Sequence, residues 1–250
     1  MSQMPRIVVV GATSGIAEQC CRVWLEKGPV DLTLVVRDPG RGEKVAIDLR
    51  VRSPASTVSV MTADFCSVAD IERVAERTHE GGIVDIVLIA HGMLPEMGTR
   101  DADLVFFREI LEINAVSPTL FAEAFARRFA AANHGTIALM GSVAGDRGRA
   151  VNYGYGAAKG LVARYAEGLD HRFAGTKVKV VLIKPGPTDT PMAAAYKAQG
   201  RKLATPRRVA EIAVHAIEKG QAVAYAPLIW LPIMLILRHL PRFIFNKLRI

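Results

Sequence analysis

Cysteine is scarce in this 250-residue chain: Cys20, Cys21 and Cys66 are an odd set with two neighbours adjacent. That excludes a disulfide-built scaffold and suits a reducing compartment. There is no Ser/Pro-rich or long charged tract, and half of the residues are apolar, which excludes intrinsic disorder. No charged-then-apolar leader precedes Ile7–Val10, so no signal peptide is expected and the chain reads as cytosol-facing. His79, His134, His171 and His215 have no second ligand at metal spacing, so no metal site is expected. Acidic residues are absent from position 221 onward.

The formal net charge is +8, and it is concentrated. Arg201, Lys202, Arg207 and Arg208 form one basic patch, and Arg238, Arg242, Lys247 and Arg249 form another. No helix-turn-helix, zinc-finger or aromatic RNA-binding signature accompanies them, so nucleic acid is not expected as a partner. A membrane surface or an anionic substrate suits basic residues set among bulky apolar ones.

Short Val/Ile/Leu runs (Ile7–Val10, Leu32–Val36, Val58–Met61, Val84–Ile89, Thr136–Met140, Val178–Ile183 and Ala222–Tyr225) alternate with amphipathic segments. The latter are Ser14–Glu26, Pro39–Arg52, Val68–Thr78, Leu104–Ala131, Tyr155–Phe173 and Pro206–Lys219. Continuous apolar strands alternating with helices predict an α/β fold, a single Rossmann-type doubly wound parallel sheet of about seven strands with helices on both faces. Residues 1–226 read as that domain and 227–250 as a tail packed on it or extending from it.

Gly11-Ala-Thr-Ser-Gly15-Ile-Ala17 follows the first strand and opens the first helix. Gly11 permits a tight turn, Gly15 lets backbone approach a pyrophosphate, and Thr13, Ser14 and Ile16 are the neighbouring candidate contacts. The second strand ends in Arg37-Asp38, where a 2′-phosphate wants a cation and a ribose hydroxyl wants an acid. Arg37, with Arg41 after it, favours NADP(H) over NAD(H); a solvated loop arginine, or an Asp38 turned inward, is the other reading. Asp64 is placed either to meet adenine or to cap the Ser67 helix.

Tyr155 and Lys159 stand at i and i+4, on one helical face. A tyrosine of ordinary pKa, ~10, is a poor proton shuttle, and a nearby ammonium favours its phenolate. Tyr153 is a decoy, because its i+4 partner is Ala157. Ser142, just past the fifth strand, can hold a substrate carbonyl. Met93 and Met97 either line the cleft or fill the core.

Ser142, Tyr155 and Lys159 downstream of the glycine loop resemble the short-chain dehydrogenase/reductase family, over residues 6 to about 226. The resemblance implies that Asn114 supports Lys159 through a water and that Lys159 also holds the nicotinamide ribose. It implies that Ile89–Gly92, including Ala90 and Gly92, lines the cofactor pocket. It further implies that Pro185, Gly186, Thr188 and Thr190 belong to the loop that binds the nicotinamide carboxamide. His91 and Ala17 depart from the family's pattern.

The tail carries no charge from Gln221 to Leu237, is broken by Pro227 and Pro232, and is shorter than the ~20 residues a membrane-spanning helix needs. Arg238, Arg242, Asn246 and Arg249 then mark a polar face beside Leu237, Leu240, Ile244 and Leu248, with Pro241 able to start a second short helix. This pattern reads as an interfacial anchor on the inner membrane face, a cover over a long lipid substrate, or an element buried against the subunit or a symmetry mate. Ala226-Pro227, Met234 and the run Leu235–Ile250 resemble the end of the decaprenylphosphoryl-2-keto-ribose reductases. That resemblance implies a polyprenyl-phosphate pentose as substrate, a flavin oxidase as partner and a role in cell-wall biosynthesis. It also implies that Arg147 and Arg149 meet a phosphate. A homo-oligomer is expected. Fatty-acyl, sterol or small ketones are alternative substrates, and a non-catalytic nucleotide-binding membrane-peripheral protein is the alternative outside enzymes.

Overall fold

A computed structural model of the chain describes residues 4–94 and 103–248. Its first half runs β1 (Arg6–Val10), α1 (Gly15–Lys27), β2 (Asp31–Val36), α2 (Pro39–Arg52), β3 (Thr57–Thr62), α3 (Val68–Glu80) and β4 (Ile86–Ile89). After it come α4 (Leu104–Leu111), a π-helical turn (Glu112–Val116), α5 (Ser117–Ala132), β5 (Gly135–Met140), α6 (Tyr153–Arg172) and β6 (Val178–Pro185). The chain closes with α7 (Ala194–Ala198), α8 (Pro206–Lys219), β7 (Val223–Ala226), α9 (Trp230–His239) and α10 (Arg242–Phe245). The seven strands form one parallel sheet in the order β3-β2-β1-β4-β5-β6-β7.

The unbroken apolar strands follow from coverage of both faces. Ile7 and Val9 point into a core with Cys20, Trp24 and Leu49 and with Ala213 and Ile217 of α8. Val8 and Val10 point to the other face, among Val74, Phe121, Phe125, Phe129 and Val162. Each such fully buried side chain contributes about 1.5–3 kcal/mol relative to exposure. Helix starts obey local chemistry: Asp38, Ser67, Asp103 and Thr205 each accept a backbone N–H of the first turn.

Sheet order reverses between β1 and β4, so the crossovers diverge there and leave a crevice at the strands' C-terminal ends. The segment Leu104–Ala131, which reads as one helix, is continuous but carries the π turn in its middle. Met97 and Arg249 lie outside the described residues.

Candidate active site

The crevice opens on the glycine loop. Gly11 has φ +80°, and a Cβ there would lie 2.7 Å from the backbone nitrogen of His91, so only glycine fits. A Cβ on Gly15 would come within 3.2 Å of Thr190, which brings the loop after β6 onto the start of α1. Among the described residues, the amides of Thr13, Gly15, Ile16 and Ala17 meet no backbone carbonyl, and the Ser14 hydroxyl makes no capping bond to the helix. Free donors at the positive end of a helix are what a pyrophosphate requires. The residues present therefore fit a dinucleotide.

At the tip of β2, Asp38 is spent on capping α2, its Oδ1 accepting from the Arg41 amide at 3.1 Å. Arg37 is exposed, with its guanidinium carbon 5.9 Å from the Phe65 ring centroid and no acidic partner among the described residues. Asp64 Oδ1 accepts from the Cys66 amide at 2.9 Å, while the cap of α3 is Ser67. Asp64 is thus not the helix cap, and it remains exposed.

Ala90 continues the β4 ladder by donating to Val10 O at 2.8 Å. His91 is buried. The Ser117 hydroxyl donates to Phe65 O at 2.6 Å, so the His91 Nε2 that meets Ser117 Oγ at 2.8 Å carries the ring proton. Burial, reinforced by the Lys159 and Arg37 charges, pushes His91 down to about 3 and keeps it neutral.

Behind Gly92 lie Asn114 and Lys159: a Cβ on that glycine would sit 2.8 Å from Asn114 Oδ1 and 3.6 Å from Lys159 Nζ. Asn114, fully buried in the π turn, donates to Ile110 O at 3.0 Å and accepts from the Met93 amide at 2.9 Å. Both side-chain bonds go to backbone. Such turns recur at functional sites because they displace one side chain from the helical register.

Lys159 is buried, and its Nζ donates to Met140 O at 2.9 Å. Burial holds its ammonium down to about 8. Tyr155 keeps part of its surface open to the cleft although protein crowds its hydroxyl, and burial pushes that hydroxyl up to about 12. Ser142, in hydrogen-bonding reach of it, favours the phenolate and offsets part of the rise. The expected ammonium effect on Tyr155 is not what this geometry delivers. Lys159 Nζ stands 5.8 Å from the centre of the tyrosine ring and points its proton at Met140. Tyr153 is half exposed and leans on Phe107, with ring centroids 6.1 Å apart.

The loop after β6 is fastened to itself and to β7. Thr188 is buried and donates to Gly186 O at 2.9 Å, Gly186 donates to Ala226 O at 2.9 Å, and Pro185 closes the strand. Apart from Met97, every candidate site residue is described, and the loop after β6, the glycine loop and the Ser142–Tyr155–Lys159 cluster border one crevice.

A profile of the short chain dehydrogenase family matches residues 5–201. The chain belongs to the short-chain dehydrogenase/reductase family. An uncharacterised oxidoreductase of Mycobacterium tuberculosis is 27% identical over 245 residues, covering 97% of this chain and 96% of the relative. One from Staphylococcus saprophyticus is 26% identical over 217 residues, covering 86% and 92%. Among solved structures, a short-chain dehydrogenase from Sphingobium yanoikuyae in complex with NADPH superposes with TM-score 0.81 at 26% identity, covering 90% of this chain and 89% of that one. A bulky-bulky ketone specific alcohol dehydrogenase from Comamonas testosteroni shares the fold, with TM-score 0.79 at 24% identity and coverage of 98% and 91%.

In this short-chain dehydrogenase/reductase the tail adjoins the site. Trp230 covers Gly186 so closely that no Cβ could be accommodated there, and Met234 is buried with Val143 and Tyr225. Arg147 was expected, from resemblance, to meet a phosphate. Instead its Nη1 donates to the carbonyls of Leu237, Arg238 and Leu240, and its guanidinium stacks 3.8 Å from the Phe245 ring centre. A helix C-terminus offers such orphan carbonyls, and Arg147 satisfies them. Beneath it, the nearly inaccessible Asp146 pairs with Lys184 at 2.5 Å and accepts from Tyr225 Oη at 2.7 Å. No motif in the sequence announces this staple, since its partners lie some 90 residues apart and are main-chain atoms.

The tail's inner side is thus buried against the subunit. Its outer side is not: Leu228, Ile229, Leu231, Leu235, Ile236 and Phe243 are exposed. No helix among the described residues is long and apolar enough to cross a membrane.

Proposed function

We propose that this oxidoreductase is an NADPH-dependent carbonyl reductase, interconverting a ketone and a secondary alcohol on a lipid-linked substrate. The observation that carries the reading is the convergence of Ser142, Tyr155 and Lys159 on the crevice that also presents the free amides of α1. When bound, the nicotinamide supplies the hydride for the carbonyl carbon. Tyr155 gives its hydroxyl proton to the carbonyl oxygen, so one O–H bond breaks and another forms on the alcohol. Ser142 donates a hydrogen bond to the same oxygen and fixes its position. Lys159, whose Nζ is turned to Met140 O, would hold the nicotinamide ribose, with Asn114 supporting the lysine's side of the site. Ala90 and Gly92, with Thr188 and Thr190, would line the nicotinamide end, and Asp64 the adenine end.

The preference for NADPH is supported by Arg37, which makes no ion pair among the described residues, and by Asp38, which is committed to capping α2. The NADPH complex of the Sphingobium relative is consistent with that choice. A lipid-linked substrate is supported by the apolar outer face of α9, which adjoins the crevice and is flanked by Arg238, Arg242 and Lys247 without any acid. Such a face suits an anionic membrane surface. The polyprenyl-phosphate pentose is the narrower candidate, on the resemblance of the tail.

Purified protein should oxidise NADPH in the presence of a ketone panel that includes prenyl-phosphate sugars. Tyr155→Phe should lower kcat about a hundredfold or more while cofactor still binds. Cofactor binding without turnover on any ketone would favour the non-catalytic reading. Full-length protein should sediment with anionic vesicles, and Leu235→Ser with Ile236→Ser should abolish this. Equal sedimentation of both would remove the membrane from the proposal.

A further inference from the structure

Arg149 lies on the loop that leads into α6, just ahead of the short turn that precedes Tyr155. Its Nε is buried with no hydrogen-bond partner, and no ion pair reaches its guanidinium among the described residues. Burial and the Arg201 charge both push its proton affinity down, while Tyr196 is the group that opposes them. Tyr196 also bears electrostatically on Tyr155, so Arg149 and the reacting tyrosine share a neighbour. Arg201 stacks on Tyr196 at 5.0 Å and adds a second positive charge. Asp189, on the loop after β6, is already paired with Lys197 at 2.8 Å. Elsewhere the basic patch is neutralised: Arg207 is bound by Glu26 and Glu211, and Arg208 faces Glu211 at 3.5 Å.

A partly buried guanidinium without a partner is costly to a folded chain, and repulsion from a second arginine adds to that cost. Asn152, three residues further along, likewise holds a buried Oδ1 without a donor. Two orphaned polar atoms beside one cleft indicate a ligand that completes them.

We infer that Arg149, backed by Arg201, receives an anionic oxygen group of the substrate, a phosphate or carboxylate close to the reacting carbonyl. This rests on the carbonyl-reductase reading and specifies its substrate as charged. The 2′-phosphate of NADPH does not compete for this role, because Arg37 stands at the opposite, adenine end of the crevice. Arg149 acts here in binding and orientation. It takes no part in the proton transfer.

The test uses matched ketones in the full-length enzyme with saturating NADPH: dihydroxyacetone against its monophosphate, and methyl acetoacetate against acetoacetate. Wild type should favour at least one charged member over its neutral partner by about tenfold to a hundredfold in kcat/KM, the range of a charge-assisted contact. The phosphate and carboxylate pairs distinguish the two oxyanions. Arg149→Gln should bring that ratio close to one through KM for the charged ketone, and Arg149→Lys should restore part of it. In parallel, inorganic phosphate should raise the Tm of the NADP-saturated wild type and leave that of Arg149→Gln unmoved. No charge preference in wild type, or a preference that survives Arg149→Gln, would overturn the inference, as would equal protection of both proteins by phosphate. Turnover of no ketone, with phosphate protecting wild type alone, would strike the reductase reading and leave the anion site standing.

Discussion

Replacing Lys159 with methionine should make the cofactor-free protein more stable and catalytically incompetent. The lysine is buried, and its ammonium is held down from 10.5 to about 8 by loss of water. That interval corresponds to about 3 kcal/mol of penalty on the charged form. Methionine fills a similar volume without charge, but it forfeits the bond to Met140 O, worth about 1 kcal/mol. The net gain at neutral pH is about 2 kcal/mol, or roughly 4–8 °C in Tm for a chain of this size. The pH dependence has a definite sign. Between about 8 and 10.5 the native lysine sheds its proton while the unfolded one retains it, so wild-type stability rises there at about 1.4 kcal/mol per pH unit. The advantage of Lys159→Met should therefore be full below pH 8, close about 1.5 units above it, and reverse by about 1 kcal/mol at pH 10.5. Tyr155, raised to about 12, makes native stability fall above pH 10, equally in both proteins, and cancels in the difference. Urea denaturation of both proteins from pH 7 to 10 measures this directly. A less stable Lys159→Met at pH 7, or a gap that does not close with pH, would refute the burial argument.

Arg37→Ala should raise KM for NADPH about tenfold or more and leave that for NADH nearly unchanged, since only the former has a phosphate to lose; equal effects measured in parallel titrations would reduce Arg37 to a loop residue. Arg147→Ala should cost about 2 kcal/mol or more and free the end of the tail, because three carbonyls lose one charged donor; timed proteolysis should then cut near α10, and an uncut tail would contradict the staple. Gly186→Ala should displace Trp230 and lower Tm, and the double variant with Trp230→Ala should recover part of the loss; additive losses would mean the two do not compete for space.

The sheet was legible because its strands are covered on both faces, which leaves uninterrupted runs such as Val8-Val9-Val10. Pro39 and Pro206 open helices in the sequence and in the fold alike, since proline fixes φ where no N–H is needed. Ser142, Tyr155 and Lys159 stood out through fixed spacing along one helix and the strand before it. The tail's relation to the body did not stand out. Arg147 grips main-chain oxygens, which carry no sequence identity, so the resemblance of its loop pointed to a phosphate instead. Tyr196 was equally hidden, because α7 is too short to show a period. The α4–α5 region reads as one helix because its single wide turn, Glu112–Val116, carries neither glycine nor proline to mark it.

That wide turn at Glu112–Val116 works as a phase shifter in an otherwise continuous rod. One residue more than an α-helical turn rotates everything beyond it by about 100°. So α4 faces α6, where Phe107 fills the space above Gly154, while α5 sends Phe121, Phe125 and Phe129 under the sheet. Deleting one residue from this stretch would change the chain length by almost nothing. It would force a choice between the two seatings: either the phenylalanine row leaves the core, or Phe107 swings off the start of the Tyr155 helix. The tyrosine's position therefore depends on residue count in a turn that packs against its helix.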